Sequence, residues 1–171
     1  MFRIGAKVVY PGHGVGLIES IEEKNIQGSA RKFFMLRILE NNMTIMIPTE
    51  NVASLGLRPI VSKEMVSKVY RILRTRKPLG DLTNWHRRYR EYGEKIKTGS
   101  IFEIATILRD LLVLKSEKEL SFSERTMLDT ARNLLVKELA LASQNREEKI
   151  LADLYAMFTP DSTRLTATVW S

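Results

Sequence analysis

Cysteine is absent from this chain of 171 residues, and histidine occurs only twice. Without cysteine the protein has neither disulfide bonds nor thiolate metal ligands, which is typical of proteins in a reducing compartment. His13 and His86 lie far apart in the sequence, and no carboxylate accompanies either of them at metal-ligand spacing. We therefore expect no metal and no cofactor, and we interpret His13 as a structural residue of a glycine-rich turn.

Long apolar runs are also missing. No segment approaches the roughly 18 consecutive apolar residues of a membrane-spanning helix, and Met1–Gly5 lacks the apolar core of a secretion signal. Hydrophobic residues nevertheless make up 44% of the chain, which predicts a packed core. Together these features predict a cytoplasmic protein that does not contact a membrane.

The familiar catalytic motifs do not occur. The sequence has no Gly-x-x-x-x-Gly-Lys phosphate loop, no Gly-x-Ser-x-Gly elbow and no His-Glu-x-x-His pair. The glycine-rich turn at 12–16 precedes no helix-forming stretch whose N–H groups could bind a phosphate. The acidic residues are scattered rather than paired for acid–base chemistry. We predict that the protein is not an enzyme.

Positive charge is concentrated in one part of the chain. The formal net charge is +7, and residues 61–98 alone carry 11 basic and 4 acidic side chains, so the remaining residues are neutral overall. This concentration of positive charge indicates that the segment binds a polyanionic partner, rather than being only a solvated basic surface.

The hydrophobic period changes near residue 60. Before it, alternating segments separated by turn residues predict five short strands and a small SH3- or Tudor-like β-barrel; the strands are expected at 6–10, 15–22, 31–39, 43–47 and 51–55. After it, a period of 3.6 predicts a compact bundle of about five helices. Ser62, Ser100 and Ser121 are the predicted caps of three of them.

The fold class predicted from this change is α+β with two domains. The N-terminal β-barrel is expected at 1–60 and the all-α helical bundle at 61–158. Residues 159–171 lack hydrophobic periodicity and predict a flexible tail.

The segment Thr83–Tyr92 combines aromatic residues with three arginines at the start of a predicted helix. Thr83 is its predicted cap, and Trp85, Tyr89 and Tyr92 fall within a stripe roughly 60° wide. In one interpretation Trp85 is the first buried residue of this stripe. In the other it is exposed at the helix end, where it stacks on or wedges into a nucleic-acid duplex while arginines bind phosphates. Spacing alone does not decide between them.

Four ordered motifs carry a family resemblance: Gly5-x-x-Val8-Val9-Tyr10-Pro11-x-His13-Gly14, Met46-Ile47-Pro48-x-Glu50-Asn51, Thr83-Asn84-Trp85-x-Arg87-Arg88-Tyr89 and Glu138-Leu139-Ala140-Leu141-Ala142. They resemble the CarD/CdnL family of bacterial transcription regulators, over about residues 1–158. The resemblance implies a Tudor-like RNA-polymerase-interaction domain, of the kind shared with the transcription-repair coupling factor, followed by a helical DNA-binding domain.

The resemblance implies two binding surfaces. The first domain would bind a lobe of the polymerase β subunit, partly by β-augmentation at an exposed strand edge, and the expected residues are Lys24, Ile26, Ile45 and Met46. The helical domain would meet promoter DNA at the upstream edge of the melted bubble. Trp85 would be the minor-groove wedge, with basic contacts from Arg87, Arg88, Arg90 and Arg125. Some relatives have an arginine at the position of Met46, so this polymerase-facing surface is expected to be more apolar here.

The function implied is that of a monomeric, non-catalytic transcription factor that stabilises the open promoter complex. Such a protein needs only to bind the open state better than the closed state. The alternative is an RNA-binding or ribosome-associated translation protein, because small barrels and basic helices also occur in that class.

Overall fold

The structure, a computed structural model, describes residues 2–75 and 84–158. A sheet of five strands precedes five helices. The strands are β1 (Lys7–Tyr10), β2 (Gly14–Ile26), β3 (Ser29–Ile38), β4 (Thr44–Pro48) and β5 (Arg58–Pro59). The helices are α1 (Lys63–Arg74), α2 (Trp85–Lys97), α3 (Ile101–Glu117), α4 (Phe122–Ser143) and α5 (Glu147–Phe158). The predicted α+β order, strands first and helices second, is confirmed, whereas the predicted tail at 159–171 lies outside the described residues.

The strands form an open antiparallel sheet in the order β4-β3-β2-β1-β5. Within the described residues β4 and β5 lie at opposite edges and do not pair, so the predicted closed barrel is not confirmed. Residues 51–55 form the end of a short 3₁₀ helix (Thr49–Asn51) and a turn rather than the predicted strand, and β5 supplies the fifth strand instead. A two-residue strand closes too little of the edge to complete a barrel.

The hairpin of β2 and β3 is longer than its polar sequence predicts. Its strands remain paired as far as Ile26 and Ser29, so only Gln27 and Gly28 form the turn. Both turn residues have positive φ, 51° and 82°, the backbone of a type I′ turn whose twist matches that of the strands. The hairpin therefore projects as a regular two-stranded arm.

The predicted serine caps are confirmed. The side chains of Ser62, Ser100 and Ser121 accept hydrogen bonds from the first turns of α1, α3 and α4, and Ser121 forms a complete capping box with Glu124. The cap of α2 is Asn84, whose side chain accepts from the N–H of Arg87. The predicted cap Thr83 lies outside the described residues.

The sheet and the helices have separate hydrophobic cores. The sheet core includes Ile18, Phe34 and Leu36, all fully buried. The helical core surrounds α3, which contacts α1, α2 and α4 and buries side chains around most of its circumference. In the part of the chain that the structure describes, every helix is too short or too polar to cross a membrane.

Residues 1–60 and 61–158, expressed separately, are each expected to unfold cooperatively. The reason is that the two cores consist of different side chains, which is the usual property of independent domains. Thermal melting followed by circular dichroism tests this expectation on both fragments. Aggregation of both fragments without a transition in either would show that the domains depend on a shared core.

Candidate nucleic-acid and protein interfaces

Trp85, the first residue of α2, is half-buried. It packs against the edge of the helical core, and its Nε1–H donates to Oγ of Ser123 in the first turn of α4, at 2.8 Å. Its ring meets those of Tyr89 and Tyr92 edge to face, with centroids 5.6 and 6.3 Å apart. Trp85 is thus neither a core residue nor fully exposed, because its surroundings fix the indole and leave part of it accessible.

Tyr92 fixes α2 to the bundle. Its ring is buried and its hydroxyl donates to Oδ2 of Asp110 on α3, at 3.3 Å. Burial is the main reason that the pKa of Tyr92 is raised, and the negative charge of Asp110 adds to the shift. The phenol therefore keeps its proton at physiological pH and remains a donor to Asp110.

An exposed aromatic residue, Phe122, begins α4 beside the Trp85–Ser123 hydrogen bond. The exposed fraction of Phe122 is 87%, the highest among the large hydrophobic residues that the structure describes. Sequence reasoning missed it, although a signal was present: the positions three and four residues later are Arg125 and Thr126, so Phe122 lies off the apolar stripe of its helix. Phe122 and Trp85 are the first residues of α4 and α2, and the hydrogen bond between Trp85 and Ser123 brings these two helix starts to the same end of the bundle.

Arg125 is the predicted basic residue that the structure places near Trp85, at the end of the bundle where α2 and α4 begin. It is exposed on the first turn of α4, two residues after Ser123. Lys115, at the end of α3, lies close enough for the positive charge of Arg125 to reinforce the lowering of its pKa, of which burial is the larger cause. A second cation therefore accompanies Arg125, and the sequence pattern did not indicate it.

The three arginines of α2 point in different directions. Arg88 is half-buried and lies near Tyr92, where its charge opposes the rise of the tyrosine pKa. Arg87 is exposed and pairs with Glu91 at 3.6 Å, an exposed ion pair of small net stability. Arg90 is exposed and lies about 140° around the helix from Trp85 at 100° per residue. Trp85 and Arg90 therefore occupy different sides of α2.

The predicted polymerase-binding residues lie on the edge strand β4 and on the β2–β3 arm. Met46 pairs with Met35, which pairs with Ser20. Since side chains alternate along a strand, Met46, Lys24 and Ile26 share the outer face. Lys24 and Ile26 are exposed there, as is Met46. The side chain of Ile45 lies on the opposite face, half-buried against the sheet core.

The register also shows in which direction the backbone N–H groups of β4 point. The N–H of Ile38 donates to the carbonyl of Met43 at 2.8 Å, and hydrogen-bonded pairs alternate along an antiparallel ladder. Leu36 and Ile45, two residues further along both strands, therefore form a hydrogen-bonded pair. The N–H of Ile45 is directed to β3, whereas that of Met46 points outward from the sheet edge.

In the regions 2–75 and 84–158, no cluster of three His, Asp or Glu side chains that could hold a metal ion occurs. The ring of His13 packs edge to face on Tyr10, with centroids 4.6 Å apart. This contact agrees with its interpretation as a structural residue of the turn.

Two family models match consecutive parts of the chain. The CarD-like/TRCF RID domain matches residues 2–61, and the C-terminal domain of CarD matches residues 68–154. The chain belongs to the CarD family. The sheet lies within the first model, and residues 62–67 lie between the two models. The rest of α1 and the helices α2 to α5, as far as residue 154, lie in the second. Trp85, Phe122 and Arg125 all fall within the C-terminal CarD model.

Relatives of this CarD family member include YdeB of Bacillus subtilis (strain 168), which is provisionally named a transcription factor. It is 39% identical over 150 residues, which are 88% of this chain and 97% of YdeB. A solved structure described as CdnLNt from Myxoccoccus xanthus is 51% identical and covers 37% of this chain and 89% of its own, with a TM-score of 0.33.

Proposed function

We propose that this CarD family protein is a non-catalytic transcription factor that binds the RNA polymerase β subunit through its sheet and stabilises the open promoter complex through its helices. The observation that carries the proposal is the hydrogen bond between Trp85 and Ser123. It joins the N-terminal ends of α2 and α4 and so places Trp85, Phe122 and Arg125 at one end of the bundle.

The position of Trp85 suits a wedge. Opening a base step costs a few kcal/mol, which an apolar side chain that occupies the step can offset. The hydrogen bond to Ser123 and the contacts with Tyr89 and Tyr92 hold the indole before DNA arrives, so little side-chain entropy is lost on binding. Phe122 extends the apolar surface next to it. A protein that inserts this surface only into melted DNA shifts the equilibrium toward the open state.

The outer edge of β4 suits β-augmentation. Met46 offers an outward N–H and an exposed side chain on the same strand, and the arm presents Lys24 and Ile26 on the same face of the sheet. A polymerase strand added at this edge would gain main-chain hydrogen bonds, with the side chains of the outer face supplying specificity.

Two measurements on the wild-type protein test the proposal. Retention of RNA polymerase rather than ribosomes from a bacterial lysate would separate a transcription factor from a translation protein. The lifetime of open complexes on linear promoter DNA, with and without the protein, then tests the mechanism. An unchanged lifetime with polymerase-bound protein would contradict it.

Alanine substitution of Arg90 or Arg125 is expected to weaken promoter DNA binding and to reduce its salt dependence. Each phosphate contact that is lost lowers the slope of log affinity against log salt by about 0.9. Lys7→Ala, on the outer strand surface of the other domain, removes the same charge and should leave the slope unchanged. Slopes identical to wild type for Arg90→Ala and Arg125→Ala would remove these arginines from the DNA surface.

A further inference from the structure

Arg58 of β5 contacts the helical domain through all three nitrogens of its guanidinium group. Nε and Nη2 donate to the carbonyl oxygen of Gly99, at 3.0 and 2.8 Å. Nη1 and Nη2 donate to Oε2 and Oε1 of Glu138, at 2.6 and 2.8 Å. Nη1 also donates to the carbonyl of Pro59, at 3.0 Å. These bonds occupy all five N–H donors of the guanidinium.

Glu138, in the second half of α4, is the buried partner. Its side chain is 4% exposed, against 25% for Arg58. Oε2 of Glu138 additionally accepts from the backbone N–H of Val61, at 3.0 Å. The carboxylate thus binds both β5 and the connection to α1, and the bidentate pairing fixes the angle between the two planar groups as well as their distance.

The turn between β1 and β2 reinforces this contact. A Cβ on Gly99 would lie 2.8 Å from Cγ of Pro11, and one on Gly14 would lie 3.1 Å from Cδ2 of Leu134 on α4. Both glycines also have positive φ, 74° and 94°, which other residues rarely adopt. The turn therefore approaches α4 and the end of α2 more closely than residues with side chains would permit.

The two residues that Arg58 contacts belong to the helices that carry the proposed DNA surface, α2 and α4. Gly99 follows the last turn of α2, whose first residue is Trp85, and Glu138 lies on α4, whose first turn carries Ser123 and Arg125. At a rise of 1.5 Å per residue, Gly99 and Glu138 each lie about 20 Å from the N-terminal ends of α2 and α4, where Trp85 and Phe122 are found. Over that distance a rotation of about 10° displaces the wedge by about 3.5 Å, close to the spacing of one base step.

We propose that Arg58 and Glu138 are positioning residues, which hold the sheet and the helical domain in one orientation so that Trp85 lies at a fixed place relative to the polymerase-binding edge β4. The inference rests on the proposed function. It assigns a role to two of the family motifs, the one that ends at Pro11–Gly14 and the one that begins at Glu138. Neither the proposed polymerase-binding surface nor the proposed DNA surface uses these residues. The chemistry fits this role, because replacing a buried ion pair by apolar residues is often neutral for stability, whereas bidentate pairing constrains the relative orientation of the two groups.

The first test measures the orientation itself, without polymerase or DNA. The chain has no cysteine, so Lys7→Cys on β1 and Thr130→Cys on α4, both exposed, allow two spin labels to be attached selectively. We expect a single narrow distance distribution for this labelled protein. Arg58→Met with Glu138→Leu removes both charges together, so that no buried charge is left unpaired, and is expected to broaden the distribution.

A matched control removes an ion pair that lies within the helical domain. Lys95 and Glu103 pair between α2 and α3 at 3.7 Å, and Lys95→Gln with Glu103→Gln should leave the distribution narrow. A narrow, unshifted distribution for the folded Arg58→Met/Glu138→Leu variant would overturn the proposal.

The second test measures function. The Arg58→Met/Glu138→Leu variant is expected to bind polymerase and promoter DNA as wild type does, yet to return the open-complex lifetime to that of polymerase without the protein. If wild type itself does not lengthen the lifetime, the proposed function fails while the distance measurement still decides whether the orientation is fixed. If wild type lengthens it and a variant with broadened distances does so equally, the positioning role is overturned.

Arg58→Lys provides a second variant if the double substitution prevents folding. It retains the charge, but one ammonium cannot reproduce the planar arrangement that joins both oxygens of Glu138 to the carbonyl of Gly99. We expect a broadened distribution and a shortened open-complex lifetime. Wild-type values for both would show that charge attraction suffices and would overturn the geometric role of Arg58.

Discussion

Replacing Trp85 by alanine is expected to shorten the lifetime of the open promoter complex while polymerase binding stays unchanged. The indole lies at the aromatic end of the bundle, far from the β4 edge in the sequence and in a different domain. If it offsets about 1.4 kcal/mol of the unstacking free energy, its loss accelerates open-complex decay about tenfold. Filter-binding or fluorescence decay after addition of a competitor measures this rate.

The same substitution is expected to lower the free energy of unfolding by an intermediate amount, about 1–3 kcal/mol. Truncation of a fully buried aromatic residue costs about 3–5 kcal/mol, and surface substitutions cost about 0.5 kcal/mol or less. Trp85 lies between these cases because it is half-buried and loses one hydrogen bond, to Ser123. Thermal melting of the purified variant provides the comparison.

Two milder substitutions separate the ring from its hydrogen bond. Trp85→Phe keeps an aromatic wedge without the Nε1–H donor, and Ser123→Ala keeps the indole without its acceptor. Both should retain part of the lifetime that Trp85→Ala loses. An unchanged rate of open-complex decay with a well-folded Trp85→Ala protein would contradict the wedge. A loss of unfolding free energy as large as that for a fully buried aromatic residue would show that Trp85 is a core residue.

Met46→Pro is expected to abolish retention of RNA polymerase without unfolding the sheet. Proline removes the backbone N–H, and that of Met46 points away from β3, so no bond within the sheet is lost. Ile45→Pro would instead remove a ladder bond and destabilise the sheet, because the N–H of Ile45 is directed to β3. A pulldown with each variant, accompanied by a thermal melt, distinguishes the two effects.

Two further variants identify which feature of this surface polymerase recognises. Met46→Ala keeps the outward N–H and should bind more strongly than Met46→Pro. Lys24→Glu reverses a charge on the projecting arm, where Lys24 forms an exposed ion pair with Glu22 at 3.8 Å, and should weaken binding in a folded protein. Wild-type retention by Met46→Pro would exclude β-augmentation at this edge, and wild-type retention by Lys24→Glu would remove Lys24 from the interface.

Much of the architecture could be predicted because its determinants are local. The change of period near residue 60 separates strands from helices, and the serine caps act within a single turn. The closed barrel was not confirmed, since closure depends on which distant strands pair. Residues 51–55 carry a strand-like pattern but form the end of a 3₁₀ helix and a turn. The pairing of β1 with Arg58 and Pro59 joins residues about 50 positions apart.

The sequence by itself determined the α+β order, the helix caps, the concentration of positive charge and the family. Only the tertiary structure decided that Trp85 is half-buried on Ser123, that Phe122 is exposed beside it, that the N–H of Met46 faces outward and that Arg58 reaches Glu138. The physical reason is the range of the interactions. Periodicity, capping and charge are properties of neighbouring residues, whereas the exposure of a side chain and the identity of its partner depend on segments that folding brings together from distant parts of the chain.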